Sequence, residues 1–370
     1  MSTVDPGLGD EPAPALDPVQ DAPVTTIDPF DALPDLAARA VGGTVPWAND
    51  ELFAPRDNLV ADGPSVFTPA TFGSRGQVYD GWETRRRREA GHDEAIVRLG
   101  LPGIVRGIDV DTSHFIGNFP PEVEVDGCAL PGYPGVAQVR AAAWRPLVPR
   151  DALQGNRSNR FLVADEGLVT HVRLRIHPDG GVARLRVHGE PLPDPAVLQA
   201  GPFDLAATEN GGRVTASSNA FYSSASNLIA PGAARTMGEG WETSRRRDGG
   251  FDWVELRLAV DGVVRMLEVD ARYFVGNAPG TVRILGRETD TDEAGPDDWF
   301  ALLEETAVVP DVRHRFTVPG GRPVRRLRLE ARPDGGLARL RAFGEPTPDG
   351  LAALLARWDT AWNETGEASP

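Results

Sequence analysis

The sequence predicts an all-β chain of two tandem sandwich domains, and three observations predict it. Apolar and polar residues alternate in short runs, the period of a half-buried strand. Those runs are cut by 41 glycines and 33 prolines in 370 residues, with little helical periodicity between them. The text also repeats. Asp80-Gly81-Trp82-Glu83-Thr84-Arg85-Arg86-Arg87-Arg88 returns as Glu239-Gly240-Trp241-Glu242-Thr243-Ser244-Arg245-Arg246-Arg247, 159 residues on. A repeat this long is a duplicated domain, since solenoid periods are about 20–50 residues.

In chain order, residues 1–30 are rich in Pro, Asp and Ala, have no Lys or Arg, and offer little to bury, so they read as a disordered acidic tail. Residues 31–200 then form repeat one and 201–370 repeat two. Pro34 to Ala40 is a short helical turn ended by Gly42-Gly43. Its text returns as Asp204-Leu205-Ala206-Ala207 and Gly211-Gly212 at an offset of 169, which also maps Asn58-Leu59 to Asn227-Leu228. In Arg106 to Asp111, Ile108 and Val110 share one strand face and Asp109 and Asp111 the other. Leu267 and Val269 likewise oppose Glu268 and Asp270.

His171 to His188 is expected to be a hairpin turned by Pro178-Asp179-Gly180-Gly181, which returns as Pro333-Asp334-Gly335-Gly336. Val172, Leu174, Ile176, Leu185 and Val187 form its core face. His171, Arg173, Arg175, His177, Arg184, Arg186 and His188 form a cationic face, expected to meet acidic residues of another domain or subunit. Pro193 to Pro202 is a linker, repeat two starts near Phe203, and an amphipathic helix spans Gly350 to Trp358.

A net charge of −16 argues against nucleic acid and anionic membranes as partners. No apolar run approaches the roughly 18 residues of a membrane helix, and the N-terminus lacks a signal-peptide pattern. The one cysteine, Cys128, reads as a buried thiol, and together these features point to the cytosol.

No phosphate loop, paired-cysteine motif, His-Glu-x-x-His or nucleophile elbow is present. Candidate chemistry rests on two constellations. In the repeated Gly-Trp-Glu-Thr block, Glu83 and Glu242 can accept amide or ureido N–H groups, and Arg86 and Arg245 can clamp a carboxylate. Equally, the Trp can plug a sandwich end with the arginines solvated. Asp109, Asp111, His114 and Asn118 lie on one strand and the loop after it. His114 would be a general acid or base oriented by an Asp, because imidazole titrates near working pH. The same residues also fit an exposed acidic face balanced by arginines. Tyr273 replaces His114 in repeat two, Phe251 replaces His92 and Phe343 replaces His188, so histidine chemistry would belong to repeat one. His171, His177 and His188 are a weaker candidate for a metal site.

Three separated motifs, Asn49 to Pro55, Asp80 to Arg86, and Gly107 to Asn118, together resemble the allantoicase family over nearly everything after the tail. The resemblance implies two jelly-roll sandwiches of galactose-binding-like type, hydrolysis of allantoate to ureidoglycolate and urea in purine catabolism, and a cytosolic homo-oligomer. The expected catalytic residues are His114, Asp109, Asp111 and Glu83. Arg86, Asn118, Glu242, Arg245, Asp270 and Asn277 are expected to bind substrate. No cofactor is assigned, although a divalent metal ion is compatible. The competing readings are a non-catalytic tandem ligand- or carbohydrate-binding protein and a metal-assisted hydrolase.

Overall fold

The structure is a computed structural model that describes residues 33–290 and 298–365. The expected acidic tail over 1–30 lies outside the described residues. Each repeat is built on one 19-residue strand, Asp93–Asp111 in the first and Asp252–Asp270 in the second. The strand serves two layers. In repeat one its first half lies between Thr44–Ala48 and Leu168–His177, and its second half between Arg184–Pro191 and Ser158–Leu162. Glu122–Cys128 and Arg145–Ala152 extend the first layer. Repeat two reproduces this with Val324–Arg332, Arg339–Pro346, Arg313–Thr317, Thr281–Arg287 and Phe300–Ala307.

The expected hairpin from His171 to His188 does not form. Leu168–His177 pairs with the first half of the long strand and Arg184–Pro191 with the second, so the two face each other across the core. The inward set was read correctly: Val172, Leu174, Ile176, Leu185 and Val187 are fully buried in one cluster with Ile108 and Val110. The alternation was legible, but the pairing was not, because each segment pairs with a different half of the 19-residue strand.

The cationic face is consequently split, and its partners come from within the repeat. Arg173 meets Asp126 at 2.8 Å and Arg175 meets Glu124 at 2.6 Å, both acids standing on the adjacent strand. Arg184 meets Asp80 at 2.7 Å. Nor do the three histidines gather. His171 is buried against Thr170, where burial and then the Arg98 charge depress its pKa to about 4, while His188 contacts the Leu33 carbonyl. No group of three or more His, Cys, Asp or Glu among the described residues is placed to hold a metal ion.

The C-terminal helix is longer than expected, Pro348–Asn363. Thr347 caps it by accepting from the Gly350 N–H at 3.0 Å, with proline at the first position. Its buried face, Leu354, Ala361 and Trp362, packs in one cluster with Ile104, Ala129, Leu168, Leu192 and Leu198. Those five residues precede repeat two, so the helix joins the halves. Within the linker, Asp194 caps a short helix, Pro195–Leu198, whose Leu198 enters that cluster. No helix among the described residues is long and apolar enough to cross a membrane.

Candidate active site

The Gly-Trp-Glu block forms a two-residue strand that pairs with the residues after the Pro-Asp-Gly-Gly turn: Trp82 with Val182 and Glu83 with Gly181, and equally Trp241 with Leu337 and Glu242 with Gly336. Only glycine fits opposite the glutamate. A Cβ at Gly181 would stand 2.0 Å from the Phe115 ring, and one at Gly336 2.0 Å from Phe274. The tryptophans plug the sandwich, as one of the two readings held. Both are fully buried, with Trp82 Nε1 donating to the Asp50 carbonyl and Trp241 Nε1 to that of Asn219, each at 2.8 Å.

This local fold aims the glutamates at the loop after the long strand. Asn118 Nδ2 donates to Glu83 Oε1 at 2.8 Å, and Asn277 Nδ2 to Glu242 Oε1 at 2.6 Å. Four residues singled out from the sequence therefore meet as two equivalent pairs. Burial raises the Glu83 pKa, and the Asn118 hydrogen bond only partly offsets it. Glu83 therefore holds a proton to higher pH than an ordinary carboxyl.

His114 sits at φ 70, and Tyr273, its counterpart, at φ 72. The left-handed turn carries the imidazole off the strand, to 3.2 Å from the Ser65 carbonyl and 5.6 Å from the Phe67 ring centroid. Among the described residues neither Asp109 nor Asp111 hydrogen-bonds the imidazole. Asp109 accepts from Ser158 at 2.5 Å on the outer strand face, and Asp111 accepts from the Ser113 N–H at 2.8 Å. Asp80 is tied to His114 through the 65–66 segment: it accepts from the Val66 N–H at 2.9 Å, next to the Ser65 carbonyl that His114 meets, and from Arg184 at 2.7 Å. Burial pushes Asp80 up, but these bonds and the Arg184 and His114 charges outweigh it and hold the carboxyl below its usual range.

The arginines of the block divide by role. Arg87 and Arg246 are structural, bound to the buried carboxylates Asp93 and Asp252 at 2.6 and 2.8 Å. Arg86 and Arg245 are exposed and make no ion pair among the described residues. Asp270 is buried and bound by Arg272 at 2.6 Å.

A cleft of about 700 Å³ opens beside the block in repeat one, lined by Asn49, Asp50, Glu51, Arg56, Arg75 and Arg85. Its floor is preorganised. Asp50 accepts from the Leu52 and Arg85 N–H groups at 3.0 Å, and from Arg85 Nε at 2.5 Å. Burial alone would raise the Asp50 pKa, but these bonds and the Arg85 charge hold it low. Sequence reasoning missed this cleft and Asp80. A signal for the cleft was present: Asp50, Glu51, Arg56 and Arg85 align with the uncharged Asn219, Ala220, Ala225 and Ser244.

The allantoicase-repeat family model matches residues 34–192 and again 203–347. The chain belongs to the allantoicase family. It is 52% identical over 319 residues to a probable allantoicase of Nocardia farcinica, covering 85% of this chain and 95% of that one. A probable allantoicase of Streptomyces avermitilis is 46% identical over 343 residues, 89% and 90% of the two chains. Among solved structures, allantoicase from Saccharomyces cerevisiae superposes with a TM-score of 0.72 at 28% identity, covering 84% of this chain and 92% of that one. The duplicated jelly-roll architecture is thus the allantoicase fold, and the family favours a hydrolase over a tandem binding module. Within this allantoicase-family chain the charged cleft and His114 both fall in the first repeat, whereas the glutamate–asparagine pair occurs in both.

Proposed function

We propose that this chain is an allantoicase, hydrolysing allantoate to ureidoglycolate and urea. The match of the allantoicase-repeat family to both halves carries this reading. The half-buried Glu83, held by Asn118, supports it with a group suited to the chemistry. Allantoate is a carboxylate whose α-carbon bears two ureido groups. Hydrolysis breaks one carbon–nitrogen bond, puts a proton on the departing urea nitrogen, and leaves water's oxygen on the carbon as the new hydroxyl.

Glu83, which burial keeps protonated to higher pH, is the acid for the departing urea. His114, tied to Asp80 through the 65–66 segment, is the second proton-transfer group. Asp109 and Asp111 serve from the strand behind it, through Ser158 and the Ser113 turn rather than by touching the imidazole. The uncommitted Arg86 is the cation for the substrate carboxylate, and Asn118 positions Glu83. Glu242, Arg245, Asp270 and Asn277 repeat the binding set without a histidine. The same reading divides the chain into an acidic tail over 1–30 and units over 31–200 and 201–370, working as a cytosolic homo-oligomer.

Urea release from allantoate by the purified chain tests the reading. Production of urea and ureidoglycolate in equal amounts is the expected result. A chain that leaves allantoate intact with and without added divalent ions overturns it.

A further inference from the structure

Repeat two carries a cavity of about 360 Å³ on the outer face of its long strand, lined among others by Asp204, Glu209, Glu268, Arg313, Arg315 and Arg341. The lining also includes Asp270, which belongs to the repeated binding set, but neither Glu242 nor Asn277, and the proposed reaction uses none of the six groups just named. Three of its charges are additions. Glu209 stands where repeat one has Ala40, Arg313 where it has Ser158, and Arg272, also in the lining, where it has Ser113. The chain nearby is shorter as well. The offset between repeats falls from 169 at Leu59 to 159 at Trp82, so repeat one has ten more residues there. In repeat one that longer segment brings Ser65 and Phe67 onto His114.

The lining holds unmet hydrogen-bonding capacity of two kinds. Inside, Glu209 Oε2 is buried with no hydrogen-bond partner among the described residues. Asp204, 8% exposed, also leaves Oδ2 without a hydrogen bond, 3.4 Å from Arg341 Nη1. Buried acceptors left unpaired cost stability, which a ligand donor would recover. At the rim, Arg313 and Arg315 face Glu268 through Nε, at 3.4 and 2.8 Å, and their side chains are 36% and 60% exposed. Their terminal nitrogens remain for an anion.

We propose that this cavity is a second, non-catalytic binding site for a small ureido carboxylic acid. Its ureido N–H groups bond Glu209 and Asp204, and its carboxylate meets Arg313 and Arg315. Near-equal numbers of acidic and basic side chains in the lining suit a monoanion that carries N–H donors. Turnover is not expected there, since Tyr273 takes the place of His114. The choice of a ureido acid as ligand rests on the proposed activity, whereas the existence of the site rests on the cavity alone.

The experiment is calorimetric titration of the full chain with ureidoacetate, a ureido acid lacking the second ureido group, alongside urea release from allantoate. Two sites per chain are expected, falling to one in Glu209→Ala and in Arg313→Ser, with kcat within about twofold of the parent at saturating allantoate. The same stoichiometry in parent and both variants overturns the second site. If the parent releases no urea but loses one ureidoacetate site in both variants, the activity reading falls and the site stands.

Discussion

Glu83 shows how one side chain acquires a role from its surroundings. An exposed glutamate ionises near pH 4.3, but this one is desolvated beneath the 112–120 loop and accepts a hydrogen bond from Asn118. Its folded pKa lies above the unfolded value. The stability linked to it is therefore present below the unfolded pKa and lost as pH rises through the folded one. Glu83→Gln mimics the protonated form. It should match or exceed the parent's thermal midpoint at neutral pH while urea release falls by about 10²–10⁴-fold. A clearly lower midpoint would contradict the burial argument, and retained turnover would remove Glu83 from the chemistry. His114→Gln should lose activity with fold and substrate binding intact, as read by circular dichroism and calorimetry. Asp80→Asn should reproduce part of that loss and shift the acid limb of the pH–rate profile, whereas a merely structural Asp80 would change stability alone.

At the scale of elements, the long strand and the C-terminal helix decide most. The strand places Ile108 and Val110 in the core, as alternation requires and as was legible in the sequence, but Asp109 on the opposite face is covered as well, and only Asp111 is part-exposed. Pairing was not: residues close in sequence, Ile176 and Leu185, belong to opposite layers because the same 19-residue strand supplies an edge to each. The helix fastens repeat two to repeat one through Trp362 and Leu354. Trp362→Ala should cost about 3–5 kcal/mol by loss of buried volume. It should also separate the unfolding of the two halves in a calorimetric scan; a single unshifted transition would contradict the joining role. Thr347→Ala removes only the cap and should cost about 1 kcal/mol in denaturant melts.

At the scale of the molecule, duplication has been followed by division of labour. Repeat one has the charged cleft, the longer loop and His114, whereas repeat two has the cavity around Glu209. Titration should expose the difference. Asp50 and Asp80 have lowered folded values, so their stability is present above the ordinary carboxylate range and lost as pH falls through them. Asp204 and Glu209 are raised, first by burial, so theirs is lost as pH rises. Glu209→Gln should therefore raise the thermal midpoint at pH 8 more than at pH 5. Unchanged urea release after treatment with a chelator would argue against a metal-assisted reaction, and loss restored by a divalent ion would establish one.

The amino-acid sequence by itself determined the duplication, the sandwich class, the apolar inward residues of the long strand and of the two segments facing each other across the core, and the candidate side chains. These depend on periodicity and on text that recurs within the chain. Only the tertiary structure decided that Glu83 meets Asn118, that Asp80 rather than Asp109 or Asp111 is tied to His114, and that Leu168–His177 and Arg184–Pro191 face each other instead of pairing. Those facts depend on which half of the long strand each segment pairs with and on the left-handed turn at position 114. Both are settled by hydrogen bonding and burial between segments distant in sequence, where local pattern carries no information.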